Sequence, residues 1–170
     1  DNITIPSGVT LDIQSGATVN LENHNITTTS GTITIESGTT INSSNSHARL
    51  VTGSTINGIY PTIATAMSED SSSQTVEAYG PHTFTSSYTV SSGKTLNVKS
   101  GGTLSFPSGY YLYVYGTLNA SGNSSTSATF TRSGSSGTWG GIRFYSGSSG
   151  SIQYADINNA TYGVYANSSS

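Results

Sequence analysis

The chain has 170 residues, a formal net charge of −3 and charged side chains at only 8% of positions, where an ordinary globular chain carries about a quarter. Low net charge combined with periodic apolar residues argues against disorder, and five scattered Lys and Arg offer no electrostatic footprint for nucleic acid. No apolar run is long enough for a membrane span, and the absence of cysteine excludes disulfides, thiolate metal sites and cysteine nucleophiles.

Residues 1–57 read as short strands. Ile3 and Ile5, Leu11 and Ile13, Val19 and Leu21, Ile33 and Ile35, Ile41, Leu50 and Ile56 alternate with polar neighbours, the two-residue period of a strand with one buried face. Thr10-Leu11-Asp12-Ile13-Gln14-Ser15-Gly16 is nearly copied 22 positions later as Thr32-Ile33-Thr34-Ile35-Glu36-Ser37-Gly38, and Thr95-Leu96-Asn97-Val98 returns at the same spacing as Thr117-Leu118-Asn119-Ala120. A strand this short cannot bury its apolar side alone, so a unit of that length must stack on its copies. Strand centres about eight residues apart close a coil of about 22 with three faces. Gly8, Gly16, Gly31 and Gly38 fall at the corners, and Pro6 and Pro107 at strand ends.

A longer period of 85 is also present: Thr4, Ser7, Gly8, Thr10, Leu11, Gly31 and Thr32 recur as Thr89, Ser92, Gly93, Thr95, Leu96, Gly116 and Thr117. Residues 58–74 interrupt the pattern. Tyr60-Pro61-Thr62 followed by Ile63, Ala66 and Met67 at helical spacing predicts one short helix over 61–67. A polar loop then leads into a strand at Thr75-Val76-Glu77-Ala78, and further coils fill 75–170. The expected organisation is a single all-β domain over 1–170, either whole or excerpted from a longer tandem array, with a Ser168-Ser169-Ser170 end that is frayed or cut.

The order Tyr60-Pro61-Thr62-Ile63, polar loop, Gln74-Thr75-Val76-Glu77-Ala78, His82-Thr83-Phe84 and Ser92-Gly93-Lys94-Thr95-Leu96 resembles right-handed parallel β-helices of the pectin-lyase-like superfamily. Gly116-Thr117-Leu118-Asn119-Ala120, Ala128-Thr129-Phe130-Thr131, Trp139-Gly140-Gly141-Ile142-Arg143-Phe144 and Ile152-Gln153-Tyr154-Ala155-Asp156-Ile157 are similar to non-enzymatic β-helix repeats of secreted bacterial surface proteins. The resemblance implies a right-handed coil and an extracellular or cell-surface setting. Enzymes of that superfamily use clustered Asp with Arg. Here Asp1, Asp12, Asp70 and Asp156 are dispersed, so no catalytic residue and no cofactor is assigned, and Arg143 with Asp156 is read as a surface ion pair.

His24, His47 and His82 share no ligand spacing; they are expected at solvated corners, with no metal assigned. In Tyr110-Tyr111-Leu112-Tyr113-Val114-Tyr115 the alternation predicts Leu112 and Val114 inside and Tyr111, Tyr113 and Tyr115 in a row outside. With Tyr88, Tyr110 and Trp139 that row would either stack on sugar rings or cover a packing surface. Thr-x-Thr pairs at Thr27/Thr29, Thr32/Thr34, Thr83/Thr85 and Thr129/Thr131 raise ice binding, but the rungs aligned with Thr34 carry Asp12, Asn97 and Asn119. Asn2, Asn25, Asn42, Asn119, Asn123, Asn159 and Asn167 head Asn-x-Ser/Thr acceptors for N-linked glycans, several of which arise by chance in so Ser- and Thr-rich a chain. The function expected is an extracellular structural or adhesive module that self-associates end to end or with tandem neighbours. A carbohydrate-binding module and an ice-binding solenoid are the alternatives.

Overall fold

The computed structural model describes residues 1–42, 46–69 and 73–167, so Asp70 and the Ser168–Ser170 tail lie outside the described residues. The chain divides into two compact units, Asp1–Gly80 and Pro81–Ser170. Both are built from parallel coils, and the fold is a β-solenoid with one short helix.

In the first unit, strands β1 (Ile3–Ile5), β2 (Thr10–Ile13) and β3 (Thr18–Val19) form one coil and β4 (Ile26–Thr28), β5 (Thr32–Ile35) and β6 (Thr40–Ile41) the next. The coils pair in parallel, Ile3 with Ile26, Leu11 with Ile33, Ile13 with Ile35 and Val19 with Ile41. The duplicated sequence is thus a duplicated turn, each apolar residue lying against its own copy. Ile5, Ile13, Leu21, Ile26, Ile33, Ile41 and Ile59 form one core cluster of this unit.

Residues 47–60 depart from the coil reading. Leu50 and Ile56 lie in a hairpin of β7 (His47–Thr52) and β8 (Thr55–Tyr60), paired antiparallel. Strand β9 (Gln74–Tyr79) pairs antiparallel with the other edge of β7, and β8 pairs antiparallel with β4. The cause is local: Thr52 opposes Thr55 across Gly53-Ser54, and Gly53 has φ +61°, a two-residue hairpin connection that reverses the chain where a coil would carry it onward. Helix α1 (Ile63–Met67) falls within the predicted span. Thr62 caps it, its Oγ1 accepting from the Thr65 N–H at 3.0 Å, and Ile63, Ala66 and Met67 are its buried face.

His47 is not a solvated corner residue. It is 1% exposed and stacks on Tyr79 at 4.8 Å between ring centroids, with the Arg49 guanidinium 4.2 Å from the same ring. His82 is also buried, on β10, and only His24 is exposed in a turn. His82 alternates inward on its strand, whereas His47 lies on the face of β7 opposite to that of Ala48 and is covered there by Tyr79 and Arg49.

The second unit is the three-faced coil in full. One sheet runs through β12 (Lys94–Lys99), β15 (Thr117–Ser121) and β18 (Ser149–Gln153). A second contains β10 (Pro81–Thr83), β13 (Thr103–Phe106), β16 (Ala128–Arg132) and β19 (Ala155–Ile157). The third contains β11 (Tyr88–Val90), β14 (Tyr111–Val114), β17 (Gly141–Phe144) and β20 (Val164–Ala166). Inward residues stack in columns: Leu96 on Leu118, Leu104 on Phe130 and then Ile157, Leu112 on Ile142 and then Val164. The rings of Phe84, Phe106 and Trp139 stack at 4.7 and 5.1 Å. Trp139, fully buried, gives its indole N–H to the Asn158 carbonyl at 2.8 Å. It is a core residue and does not belong to a surface strip. The 22-residue spacing holds from Thr95 to Thr117. Loops after β15 and β16 then lengthen the coil, so that Thr117 meets Ser149.

The displacement of 85 maps β1 onto β11 and lays β2 to β5 along β12 to β15. Gly31 and Gly116 show why one position stays glycine in both. A Cβ at Gly31 would meet the Pro6 and Val9 carbonyls, and one at Gly116 the carbonyls of Ser91 and Lys94, the positions 85 residues on from Pro6 and Val9. At both places a coil crosses directly over the turn of the one before it.

Leu112→Ala removes a side chain with no exposure and should cost about 3 kcal/mol in urea unfolding. Thr89→Ala, on an exposed position of the neighbouring β11, should stay within about 0.5 kcal/mol. Equal effects of the two would mean that the column is not the stabilising unit.

Candidate functional site

The third sheet of the second unit carries the most distinctive surface. In β14, Leu112 and Val114 are fully buried, which turns Tyr111 and Tyr113 outward to partly exposed positions, and Tyr115 just past the strand is 42% exposed. The predicted tyrosine row is therefore in place. Parallel register then continues it onto later coils: Tyr113 opposes Arg143, and Arg143 opposes Tyr165. Tyr145 follows β17 and gives its N–H to the Val114 carbonyl at 3.0 Å, which brings it beside Tyr115. Those two rings stack at 4.5 Å with 9° between planes, and Tyr111 stacks on Tyr113 at 5.5 Å. Tyr145 also presents an edge to Tyr113 at 6.0 Å. Desolvation, and then the adjoining Tyr145, push the Tyr115 phenol above its ordinary pKa.

Arg143 lies within this array. Its guanidinium carbon sits 4.1 Å from the Tyr111 ring centroid and 5.9 Å from that of Tyr165, both within cation–π range. Its Nε is buried with no hydrogen-bond partner. The expected ion pair with Asp156 does not form, because Asp156 opposes Thr129 in the second sheet while Arg143 projects from the third. Beside Arg143 an open groove of about 310 Å³ is lined by Arg143, Tyr145, Tyr162, Tyr165 and Asn167. Tyr162 and Tyr165 are 52% and 49% exposed, so the ring faces available to a ligand are here.

Two glycines make the stack possible. A Cβ at Gly140 would fall on the Tyr111 ring, and Gly141, at φ +102°, lies against the Tyr162 carbonyl. Trp139-Gly140-Gly141 is thus a buried anchor followed by a gap into which the tyrosine of the preceding coil leans. Sequence reasoning missed Arg143, Tyr145 and Tyr165 as members of the face. The signal was the spacing from Tyr113 to Arg143, which is unreadable without knowing how far the intervening loop lengthens the coil.

The remaining candidates are dispersed. Tyr110 is exposed, whereas Tyr88 is largely covered and tilts against Phe84 at 4.6 Å. The Thr and Asn positions form ladders that consume their own polar groups. Thr34 donates to the Asp12 carboxylate at 2.5 Å, and Asn119 donates to Asn97 at 2.9 Å while accepting from the Ser151 N–H at 3.2 Å. A face so engaged has fewer hydroxyls and amides to offer an ice lattice.

Several glycan-acceptor asparagines are similarly occupied. Asn2 accepts from the Asn25 N–H, Asn42 accepts from Leu21 and donates to Ser46, and Asn123 caps its own turn by accepting from Ser125 and Thr126. The Asn25 Oδ1 is buried and lacks a partner. Asn159 and Asn167 are exposed. Among the described residues, no three His, Asp or Glu cluster as metal ligands, and no helix is long and apolar enough to cross a membrane.

Comparison with protein-family models, curated proteins and solved structures returns no match.

Gly140→Ala should displace the Tyr111 ring and release Arg143, seen as loss of the ring-current shift on the Arg143 side-chain protons with the Leu112 signals retained. An unchanged Arg143 shift would refute the packing account. A second expectation concerns alkaline pH. Burial, followed by the hydrogen bond to Glu77, pushes the Tyr79 phenol up to about 12, and burial does the same for Tyr88. Unfolded phenols ionise near 10, so between about pH 10 and 12 the native state holds protons that the unfolded state has lost, and stability falls with rising pH. The contribution of these two phenols is at its full value below about pH 10 and is lost as pH rises through about 12. Tyrosinate absorbance should show a late component that coincides with unfolding, and a single transition near 10 would contradict it.

Proposed function

We propose that the protein is a structural, adhesive module of the cell exterior, of the secreted β-helix type that its sequence resembles within the pectin-lyase-like superfamily, and that it assembles with copies of itself and carries out no reaction. The observation that carries this reading is the division of charge. Residues 1–80 contain Arg49 against seven Asp and Glu, whereas residues 81–170 contain Lys94, Lys99, Arg132 and Arg143 against Asp156 alone. A parallel coil offers on one edge the N–H and C=O pattern that it accepts on the other, which is a head-to-tail interaction. Opposite charge on the two units favours the acidic unit of one copy meeting the basic unit of the next. The low overall charge and the polar ladders suit an extended exterior surface. The dispersal of Asp12, on the first unit's coil pair, and Asp156, on the second unit, is consistent with a non-catalytic role.

A second reading, a carbohydrate-binding module, is favoured by the exposed rings of Tyr162 and Tyr165, which line an open groove. Aromatic faces on a rigid sheet are suited to pyranose rings because they offer apolar area with little conformational entropy to lose.

Sedimentation velocity and negative-stain imaging test the first reading. Low salt should give concentration-dependent oligomers or filaments that dissociate as ionic strength rises, and Tyr113→Ala should leave them intact. A monomer at every salt and protein concentration would overturn self-assembly. If Tyr113→Ala lost sugar binding while the coil was preserved, the second reading would be favoured.

A further inference from the structure

We infer that the open edge of β18, β19 and β20 receives the β1–β3 coil of a second copy in one register, with Ile3 on Val164, Leu11 on Gly150, Ile13 on Ile152 and Val19 on Ile157. This rests on the self-assembly reading and adds which surfaces meet and how they are aligned.

The starting point is a break in burial at two edges. Among the described strands, β1, β2 and β3 are paired on one side only, and so are β18, β19 and β20. Their inward side chains continue core columns but are not covered as the columns are. Val164 is 48% exposed while Ile142, its column neighbour, has no exposure, and Ile3 is 52% exposed while Ile26 beside it is buried. Ile157 and Ile152 are partly exposed against buried Phe130 and Ala120, and Leu11 and Val19 against buried Ile33 and Ile41. Each edge is a cut core cross-section with unpaired backbone groups, and a coil laid on it would bury both.

The 85-residue repeat says which coil fits and in what alignment. Residues 85 positions on from Ile3, Leu11, Ile13 and Val19 are Tyr88, Leu96, Val98 and Leu104. These four begin the columns that end in Val164, Gly150, Ile152 and Ile157. The β1–β3 coil of another copy therefore carries the inward side chains of the coil that starts this stack, at the same spacings. Leu11 also supplies a side chain where Gly150 has none. On the outward side the alignment puts Asp12 beside Ser151 and Thr18 beside Asp156, all exposed, so no like charges are opposed. Both are hydroxyl–carboxylate pairs of the kind that Thr34 and Asp12 make between coils at 2.5 Å. The acidic balance of residues 1–80 and the basic balance of 81–170 act in the same direction.

The test uses the absence of cysteine from the chain. Ile3→Cys and Val164→Cys are made as separate proteins, both at positions about half exposed, and mixed at low salt in a glutathione buffer. Neighbouring strands about 4.8 Å apart lie within disulfide reach, so the mixed dimer should be the main cross-linked product, identified by mass spectrometry of the joined peptides. Thr10→Cys mixed with Val164→Cys, which the alignment places on different sheets, should not link. As a check that needs no cross-link, Val164→Asp should raise the dissociation constant for self-assembly about tenfold or more, because the junction would bury the charge, while the thermal unfolding of the monomer is unchanged. Oligomers that form without the link from residue 3 to residue 164, that join Ile3→Cys to Ile152→Cys instead, or that tolerate Val164→Asp would overturn this register and leave self-assembly standing. Monomers under every condition would overturn both.

Discussion

Parallel pairing of coils in register is the constraint on which the rest of the structure depends. Because each strand lies beside the equivalent strand of the next coil, a residue meets its counterpart and not a random neighbour. Leu11 meets Ile33, Leu96 meets Leu118, and Asn97 meets Asn119. One choice of side chain is therefore used again at every level: an apolar residue at an inward position becomes a core column, and an amide at an outward position becomes a hydrogen-bonded ladder. A residue that could not tolerate its own copy a strand's width away would be excluded from both.

The same constraint explains which glycines persist and where the coil is allowed to vary. Gly31 and Gly116 stand where one coil passes over the carbonyls of the preceding turn, so any side chain there would push two coils apart. The loops are freer. Those following β15 and β16 lengthen the coil without disturbing the register of β18 or β17, since the ladder fixes only the strands. The Gly53-Ser54 turn is a larger departure, because it reverses direction and replaces coil stacking with the antiparallel β7, β8 and β9 arrangement.

The tyrosine and arginine face is a by-product of register put to a different use. Inward positions of β14 and β17 are held by Leu112, Val114 and Ile142, all without exposure, and are costly to change. Outward positions are bound only by what the adjoining coil places beside them. That freedom lets Tyr113, Arg143 and Tyr165 form one column and lets Tyr115 and Tyr145 stack next to it. The sheet beneath holds the rings at fixed separations.

From the sequence by itself came the solenoid, the 22-residue coil, the short helix and the outward turn of Tyr111, Tyr113 and Tyr115, because alternation and repetition are properties of neighbours along the chain and are written there directly. The hairpin at 47–60 was also written, in Gly53-Ser54 between alternating segments, but its flanks imitate coil strands, and direction of pairing is not a property of either strand alone. Only the tertiary structure decided that Trp139 is core, that His47 and His82 are buried, and that Arg143 lies on Tyr111 and not against Asp156. The last of these depends on how many residues a loop inserts between coils. That number sets which side chains from distant positions share a column, and no local pattern carries it.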